Sequence, residues 1–159
     1  MDGGVHFTAI LRCLLAAVGQ KVEAVSAFTS LVQETLRPAD TLHAVLQTGA
    51  GHSGTFSMSC GTEFKAGIEV EIVTDRGSVL LRPREVTVTT KNAAGELSET
   101  KETLDMTFGV KEEMVAFAAG VKQGKLDPRM TADEALEDLK LLEAMLKSGQ
   151  AGGQVVNIA

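Results

Sequence analysis

Apolar side chains recur at Phe7, Ile10, Leu11, Leu14, Leu15 and Val18. That is the i, i+3, i+4, i+7, i+8, i+11 spacing of one wide stripe on an amphipathic helix, and Gly19 is a natural stop for it. The following KVEAVSAFTSLV, dense in β-branched and small residues, reads as a strand buried over part of its length. ETLRPADT carries loop punctuation, and TLHAVLQT then places Leu42, Ala44 and Leu46 on one face. Alternation sharpens from there. GTFSMSCG sets Phe56, Met58 and Cys60 against Thr55, Ser57 and Ser59, and GIEVEIVTD sets Ile68, Val70 and Ile72 against Glu69, Glu71 and Val73. Asp75, Arg76 and Gly77 turn the chain into GSVLLR, which Pro83 interrupts. EVTVTTK and ELSETKETL flank Asn92, Ala93, Ala94 and Gly95, a polar hairpin connection.

Helical spacing returns with Val110, Met114, Phe117, Ala118 and Val121 on one face, and Gly124 ends that helix. Thr131 and Glu134 form a T-x-x-E capping box before a last helix. Leu136, Leu139, Leu142 and Met145 are expected to point inward from it, with a stop near Gly149 and a short closing strand in QVVNI. A helix, a run of strands and two more helices make an α+β domain. Period-2 alternation with short turns predicts a largely antiparallel, open sheet with helices packed on one face and the polar face left uncovered. Residues 1–159 are expected to form a single domain, with no internal repeat or linker.

Charge and composition narrow the partners. The chain has 15 Lys and Arg against 21 Asp and Glu, a net charge of −6, which argues against a phosphate-tracking surface. Six Phe with no Trp or Tyr leave few base-stacking platforms, so nucleic acid is not an expected partner. No segment is long and apolar enough to span a bilayer. The apolar LRCLLAAVG lacks the basic lead-in of a signal peptide and is broken by Arg12, so a cytoplasmic location is expected. Cys13 and Cys60 are expected to be buried free thiols in a reducing compartment, and no Cys/His cluster has zinc-ligand spacing.

Candidate chemistry concentrates at the first residues. In MDGGVHFTAILRCLL, Asp2 and His6 stand one helical turn apart, so a carboxylate and an imidazole can share a face. The imidazole can pass a proton to or from an alcohol or carbonyl, with the carboxylate orienting it. Gly3 and Gly4 allow unusual backbone conformations and close approach of a ligand. Spacing alone equally accommodates Asp2 as a helix cap and His6 as a polar residue at the helix start. His43, on the polar face of its strand, and His52, in the turn-rich TGAGHSG, are weaker candidates. TGAGHSGT lacks the GK[ST] of a phosphate loop and runs strand to strand. The acidic stretch from Asp133 to Asp138 reads as a solvated face, and no ligand set suggests a metal.

DGGVHFTAILRCLLAAVG resembles the start of the C-terminal domain in the Gfo/Idh/MocA oxidoreductases (glucose–fructose oxidoreductase, inositol dehydrogenase and relatives). These carry Asp-x-x-x-His at the start of a helix just after the dinucleotide-binding domain, here matched by Asp2 and His6. The resemblance runs on through VSAFTSLV, GTFSMSCG, GIEVEIVTDRGSVLL, EEMVAFAAGV, TADEALEDLKLLEAMLKS and GGQVVNI, essentially the whole chain. It implies a parent enzyme that uses NAD or NADP, bound mainly by an N-terminal Rossmann domain that this chain lacks. The implied substrate is a sugar, polyol or related hydroxy or carbonyl compound. His6 would be the proton donor or acceptor and Asp2 would set its position and charge. No Glu-Lys-Pro stretch and no strand–GxGxxG–helix unit is present, so the isolated chain is expected to be inactive, and Met1 is read as an artificial or alternative start. The open sheet face, including Thr55, Ser57 and Ser59, is the expected homo-oligomer contact. A non-catalytic sensor of the same fold and a stand-alone dimerisation module are the alternatives.

Overall fold

The computed structural model describes residues 3–105, 107 and 109–158. They fall into two compact units, Met1–Glu63 with Leu126–Ala159, and Phe64–Lys125.

In the first unit, α1 (Gly4–Ala17) leads into β1 (Val22–Ser30), β2 (Thr41–Thr48) and β3 (Ser53–Ser59). The chain returns to this unit for α3 (Ala132–Gln150) and the short β8 (Val156–Asn157), after β4 to β7 and α2 of the second unit. The sheet order is β3-β2-β1-β8, with every pairing antiparallel. Alternation along β2 buries Leu42, Ala44 and Leu46, as the sequence predicts, and turns His43, Val45 and Gln47 outward. The buried row joins Val22, Val25 and Ala27 of β1 with Leu141, Leu142, Ala144 and Met145 of α3 in one core, against which Leu11, Leu15 and Phe56 pack. The outward positions form cross-strand rows, with Phe28 and Ser57 flanking His43, and Ser26 and Thr55 flanking Val45.

The buried faces of α1 and α3 match the expected ones only in part: Leu11 and Leu15, and Leu142 and Met145, lie inward as expected. In α3, Leu136 and Leu139 are 50% and 51% exposed, whereas Leu141 is 2% and Met145 0% exposed. Leu139 lies about 160° around the helix from Leu141. The inward row toward the N-terminal end continues instead through Asp138 and Glu134, two polar residues that a search for apolar periodicity skips. In α1 the buried residues are Gly4 and Thr8, with Leu11 and Leu15 completing the row, while Ile10 and Val18 are exposed.

Both cysteines are free but exposed, contrary to expectation. Cys13 stands about 200° around α1 from Leu11 and so faces away from the core. Cys60 lies just beyond the end of β3, where strand alternation no longer dictates its side, and its N–H donates to the Asp40 carbonyl at 2.9 Å.

The β1–β2 connection is organised by Asp40, 1% exposed. Its carboxylate accepts N–H bonds from Val32 at 2.9 and 3.1 Å and Gln33 at 2.7 Å, and the Thr41 hydroxyl donates at 2.9 Å. Burial pushes its pKa up, but these donors outweigh burial and hold the carboxyl below its ordinary value.

The second unit is an antiparallel meander of β4 (Val70–Thr74), β5 (Gly77–Arg82), β6 (Glu85–Lys91) and β7 (Leu97–Thr103), followed by α2 (Val110–Gln123). The α+β class therefore holds, with the strands divided between two four-stranded sheets. Gly77 opens β5 after the two-residue Asp75–Arg76 turn. Its φ of +152° and the closeness of the Thr89 carbonyl oxygen exclude any Cβ there. Asn92 closes the β6–β7 loop by accepting from the N–H groups of Ala94 at 2.9 Å and Glu96 at 3.0 Å. Gly124 ends α2 in the left-handed conformation, as expected. The apolar stripe of α2 is open, with Val110, Met114 and Val121 all more than 60% exposed.

Two outcomes follow from this packing. Met145→Ala should cost about 2–5 kcal/mol in urea unfolding, the range for emptying a buried site. Leu139→Ala should stay within about 0.5 kcal/mol of wild type; comparable losses would restore the leucine face read from the sequence.

Asp40 gives a pH signature. A carboxyl with a depressed folded pKa stabilises the fold above its unfolded value, and that contribution is lost as pH falls through the folded pKa. Stability should therefore decline below about pH 4, where unfolded Asp titrates. Asp40→Asn should lower neutral-pH stability and flatten that part of the pH-stability curve, which acid titration followed by circular dichroism would register.

Candidate active site

His6 lies in the first turn of α1, exposed and about 200° around the helix from Gly4. Its ring is therefore on the side away from the core. Asp2 lies outside the described residues. The helix N-cap is Gly3, in ordinary right-handed geometry with no side-chain cap bond, and the first turn contains no acidic side chain. The glycines act differently from expectation. Neither has a positive φ. A Cβ on Gly4 would stand 3.0 Å from a Leu142 methyl and 3.5 Å from the Met58 sulfur, so the close approach is that of the helix to its own core. Small size at Gly4 lets the start of α1 settle against α3 and β3, and this fixes where His6 is presented.

The second fixing point is Arg12. Its guanidinium donates to the Glu134 carboxylate at 2.8 Å, to the Glu134 carbonyl at 3.1 Å and to the Asp138 carboxylate. Burial disfavours the charged guanidinium, but hydrogen bonds and charge from Asp138 and Glu134 outweigh it and raise the Arg12 pKa. The expected solvated acidic face is thus partly an inter-helix clamp, with the Asp138 side chain only 14% exposed. Glu134 also supplies the N–H that Thr131 caps at 3.3 Å, the backbone half of the predicted capping box, while its carboxylate reaches across to Arg12.

The other histidines stand apart. His43 is on the outward face of β2, its Nδ1 3.1 Å from the Ser57 hydroxyl. His52 is in the β2–β3 turn, where its carbonyl accepts from Thr48 N–H at 2.8 Å, so TGAGHSGT is a hairpin connection. Near that turn, an open depression of about 420 Å³ is lined by Lys21, Glu23, Gln47, Thr48 and Asn157 among others. His6 does not line it. Leu42, paired with Met58 beside the start of α1, and Thr48 lie at opposite ends of β2.

A dinucleotide cradle needs a strand, a Gly-rich turn and a helix in a parallel crossover unit. Every strand pairing among the described residues is antiparallel, and the described residues do not fit such a group. What this surface can do is present one imidazole, on a fixed helix, to a substrate brought to it.

A family profile described as the oxidoreductase family, C-terminal alpha/beta domain, of Gfo/Idh/MocA type, matches residues 1–158. Dehydrogenase FPY6 of Fusarium mangiferae is 41% identical over 155 residues, covering 98% of this chain and 44% of the relative. Among solved structures, an oxidoreductase from Thermotoga maritima superposes with a TM-score of 0.78 at 24% identity, over 99% of this chain and 43% of that one. The WlbA dehydrogenase from Bordetella pertussis, solved with NADH and UDP-GlcNAcA, gives 0.63 at 18% identity, over 99% of this chain and 44% of its own. The chain thus spans less than half the length of each of these three relatives.

The Arg12 clamp is testable by a double-mutant cycle with Arg12→Met and Asp138→Asn. For a partly exposed pair the coupling should be about 1 kcal/mol and should shrink in high salt. Zero coupling would make the contact incidental to the placement of α1.

Proposed function

The chain belongs to the Gfo/Idh/MocA oxidoreductase family through its C-terminal alpha/beta domain, and from that premise we propose that it is the substrate-side domain of an NAD(P)-dependent dehydrogenase. Its 41% identity to a dehydrogenase over nearly its whole length carries the reading. The proposed substrate is a sugar, polyol or related hydroxy or carbonyl compound, a class compatible with the nucleotide sugar held by the Bordetella relative. NAD or NADP would supply the hydride chemistry, held by the part of the parent that this chain does not contain.

This chain's own contribution is proton management. His6, exposed on a helix held by Gly4 and Arg12, is the group proposed to give or take the proton at the substrate oxygen. Asp2, four residues earlier, is the proposed partner that orients the imidazole and balances its charge. Residues 1–159 would form one substrate-binding and oligomerisation domain, acting in the cytoplasm and silent in the absence of the cofactor-binding part. Association with further copies through the open face of the β1–β2–β3 sheet is part of the same proposal. Small outward side chains at Thr55, Ser57 and Ser59 permit close sheet-to-sheet approach, and among the described residues of the unit no helix covers that face, the turn after α3 lying against Ser26 and Phe28 at its β1 edge. Among the described residues no helix is long and apolar enough to cross a membrane.

In the full-length parent, His6→Ala should lower kcat by roughly 10²–10⁴-fold with cofactor affinity nearly unchanged, the range for losing acid–base help. Because His6 is exposed, thermal stability should hardly move. Asp2→Asn should give a smaller loss, and the isolated chain should show neither turnover nor NAD binding by calorimetry. Turnover per folded molecule that survives His6→Ala would assign the proton to another group, or the fold to a sensor.

A further inference from the structure

The outward rows of β1, β2 and β3 contain no Asp, Glu, Lys or Arg between Ala24 and Ser30, Thr41 and Gln47, or Ser53 and Ser59. Charge returns at one end of the sheet, around the depression of about 420 Å³ beside the β2–β3 turn, which Lys21, Glu23, Gln47, Thr48 and Asn157 line. The ladder is broken there. Val22 pairs with Thr48 and Ala24 with Gln47, so Glu23 is an extra residue in β1, a bulge of the kind that re-aims a side chain. Its carboxylate lies against the turn, because a Cβ on Gly49 would stand 2.5 Å from one of its oxygens.

Thr48 stands opposite the bulge and is 9% exposed. Its Oγ1 is the one buried side-chain oxygen or nitrogen among the described residues without a hydrogen-bond partner. A buried hydroxyl left unpaired is unfavourable. The backbone around it is paired. Thr48 N–H donates to the His52 carbonyl, Gly51 N–H to the Thr48 carbonyl and Ile158 N–H to the Glu23 carbonyl, each at 2.8 Å. Side chains keep the vacant capacity: Lys21 Nζ and the Glu23 carboxylate are 3.9 Å apart, beyond hydrogen-bond reach.

We propose that this end of the sheet is a second small-molecule site and that it takes a neutral polyol. It lies at the opposite end of β2 from the start of α1, and it stands whether or not His6 moves a proton. The donor set selects the ligand. Lys21 and Glu23 cancel in charge, so a small anion meets the carboxylate and a small cation meets the ammonium. A hydroxyl both donates and accepts. Neighbouring hydroxyls of one molecule can therefore accept from Lys21 and donate to Glu23, while others pair with the amides of Gln47 and Asn157 and with Thr48. No aromatic ring is among the described lining residues, which leaves a nucleobase no stacking surface.

Titration of the 159-residue chain with sorbitol, followed by amide chemical shifts, tests this. Shifts should saturate with a Kd of about 1–10 mM and centre on Glu23, Thr48, Gly49 and Asn157. Succinate should bind more weakly. Glu23→Ala, at an exposed position, should weaken sorbitol roughly tenfold, and Thr48→Val roughly three- to tenfold. Without ligand, Thr48→Val should melt no lower than wild type, since its hydroxyl has no partner to lose. His6→Ala should bind sorbitol as wild type does. Shifts that never saturate, or that Glu23→Ala leaves unchanged, would remove the site. Tighter binding of succinate would overturn the ligand class. Loss of binding in His6→Ala would place the polyol at the candidate active site instead. A Thr48→Val chain that melts well below wild type would show that the hydroxyl already serves the fold, and would overturn its part in the site.

Discussion

The first unit is built against one seam of α3. Glu134, Asp138, Leu141, Met145 and Ser148 follow one another at helical spacing along a single side, and each half of that row does different work. The C-terminal half is apolar and lies on β1 and β2, where it seals the core. It ends in the Ser148 hydroxyl, which accepts the Ala27 N–H at 2.8 Å and donates to the Gln154 carbonyl at 2.6 Å. One buried hydroxyl thereby satisfies an amide of β1 that β8 is too short to reach, and pins the turn that brings β8 alongside. The N-terminal half is charged and holds Arg12 of α1. Break the seam and the sheet loses its cover and α1 its position together.

Strands were the more legible elements. Burial on one side of a sheet imposes a period of two, and at Leu42, Ala44 and Leu46 or at Phe56 and Met58 the apolar letters mark the inner side directly. The helices were harder because their inner sides use residues that hydropathy does not score as core. Gly4 and Thr8 are buried in α1 since small side chains permit close approach, and Asp138 is largely covered because Arg12 neutralises and bonds it. Leu136 and Leu139 supplied a plausible stripe that the structure leaves open. Cys60 marks the same limit in a strand, where alternation predicts a side only as far as the ladder continues.

For the candidate site, sequence spacing located His6 on a helix start but missed the packing role of Gly4, and neither glycine takes the unusual backbone expected of it. They read as freedom for a ligand or an unusual backbone, whereas Gly4 is a contact surface for Leu142 and Met58. Arg12 was legible only as a break in an apolar run. Its partners lie 122 and 126 residues away, and no local pattern announces a pair separated by that much chain. The roles of Asp40 and Ser148 are hidden for the same reason, since each is defined by backbone groups that folding brings to it.

The proton transfer proposed for His6 would be demanding of position: a donor displaced by about 1 Å can cost a hundredfold in rate. An exposed histidine in the first turn of a helix would ordinarily be a poor choice, because helix ends fray. Here the first turn is the part of α1 most tightly seated, with Gly4 under Leu142, Thr8 fully buried and its hydroxyl bonded to the Val5 carbonyl at 2.9 Å. The residues that secure this turn all face the covered side of the sheet. None belongs to the outward rows around His43. The fold thus separates two demands on one sheet: the covered face fixes a side chain in place, while the open face keeps its surface free of charge. A single sheet can meet both because successive strand residues point to opposite sides, so the two faces draw on alternate positions of the same three strands.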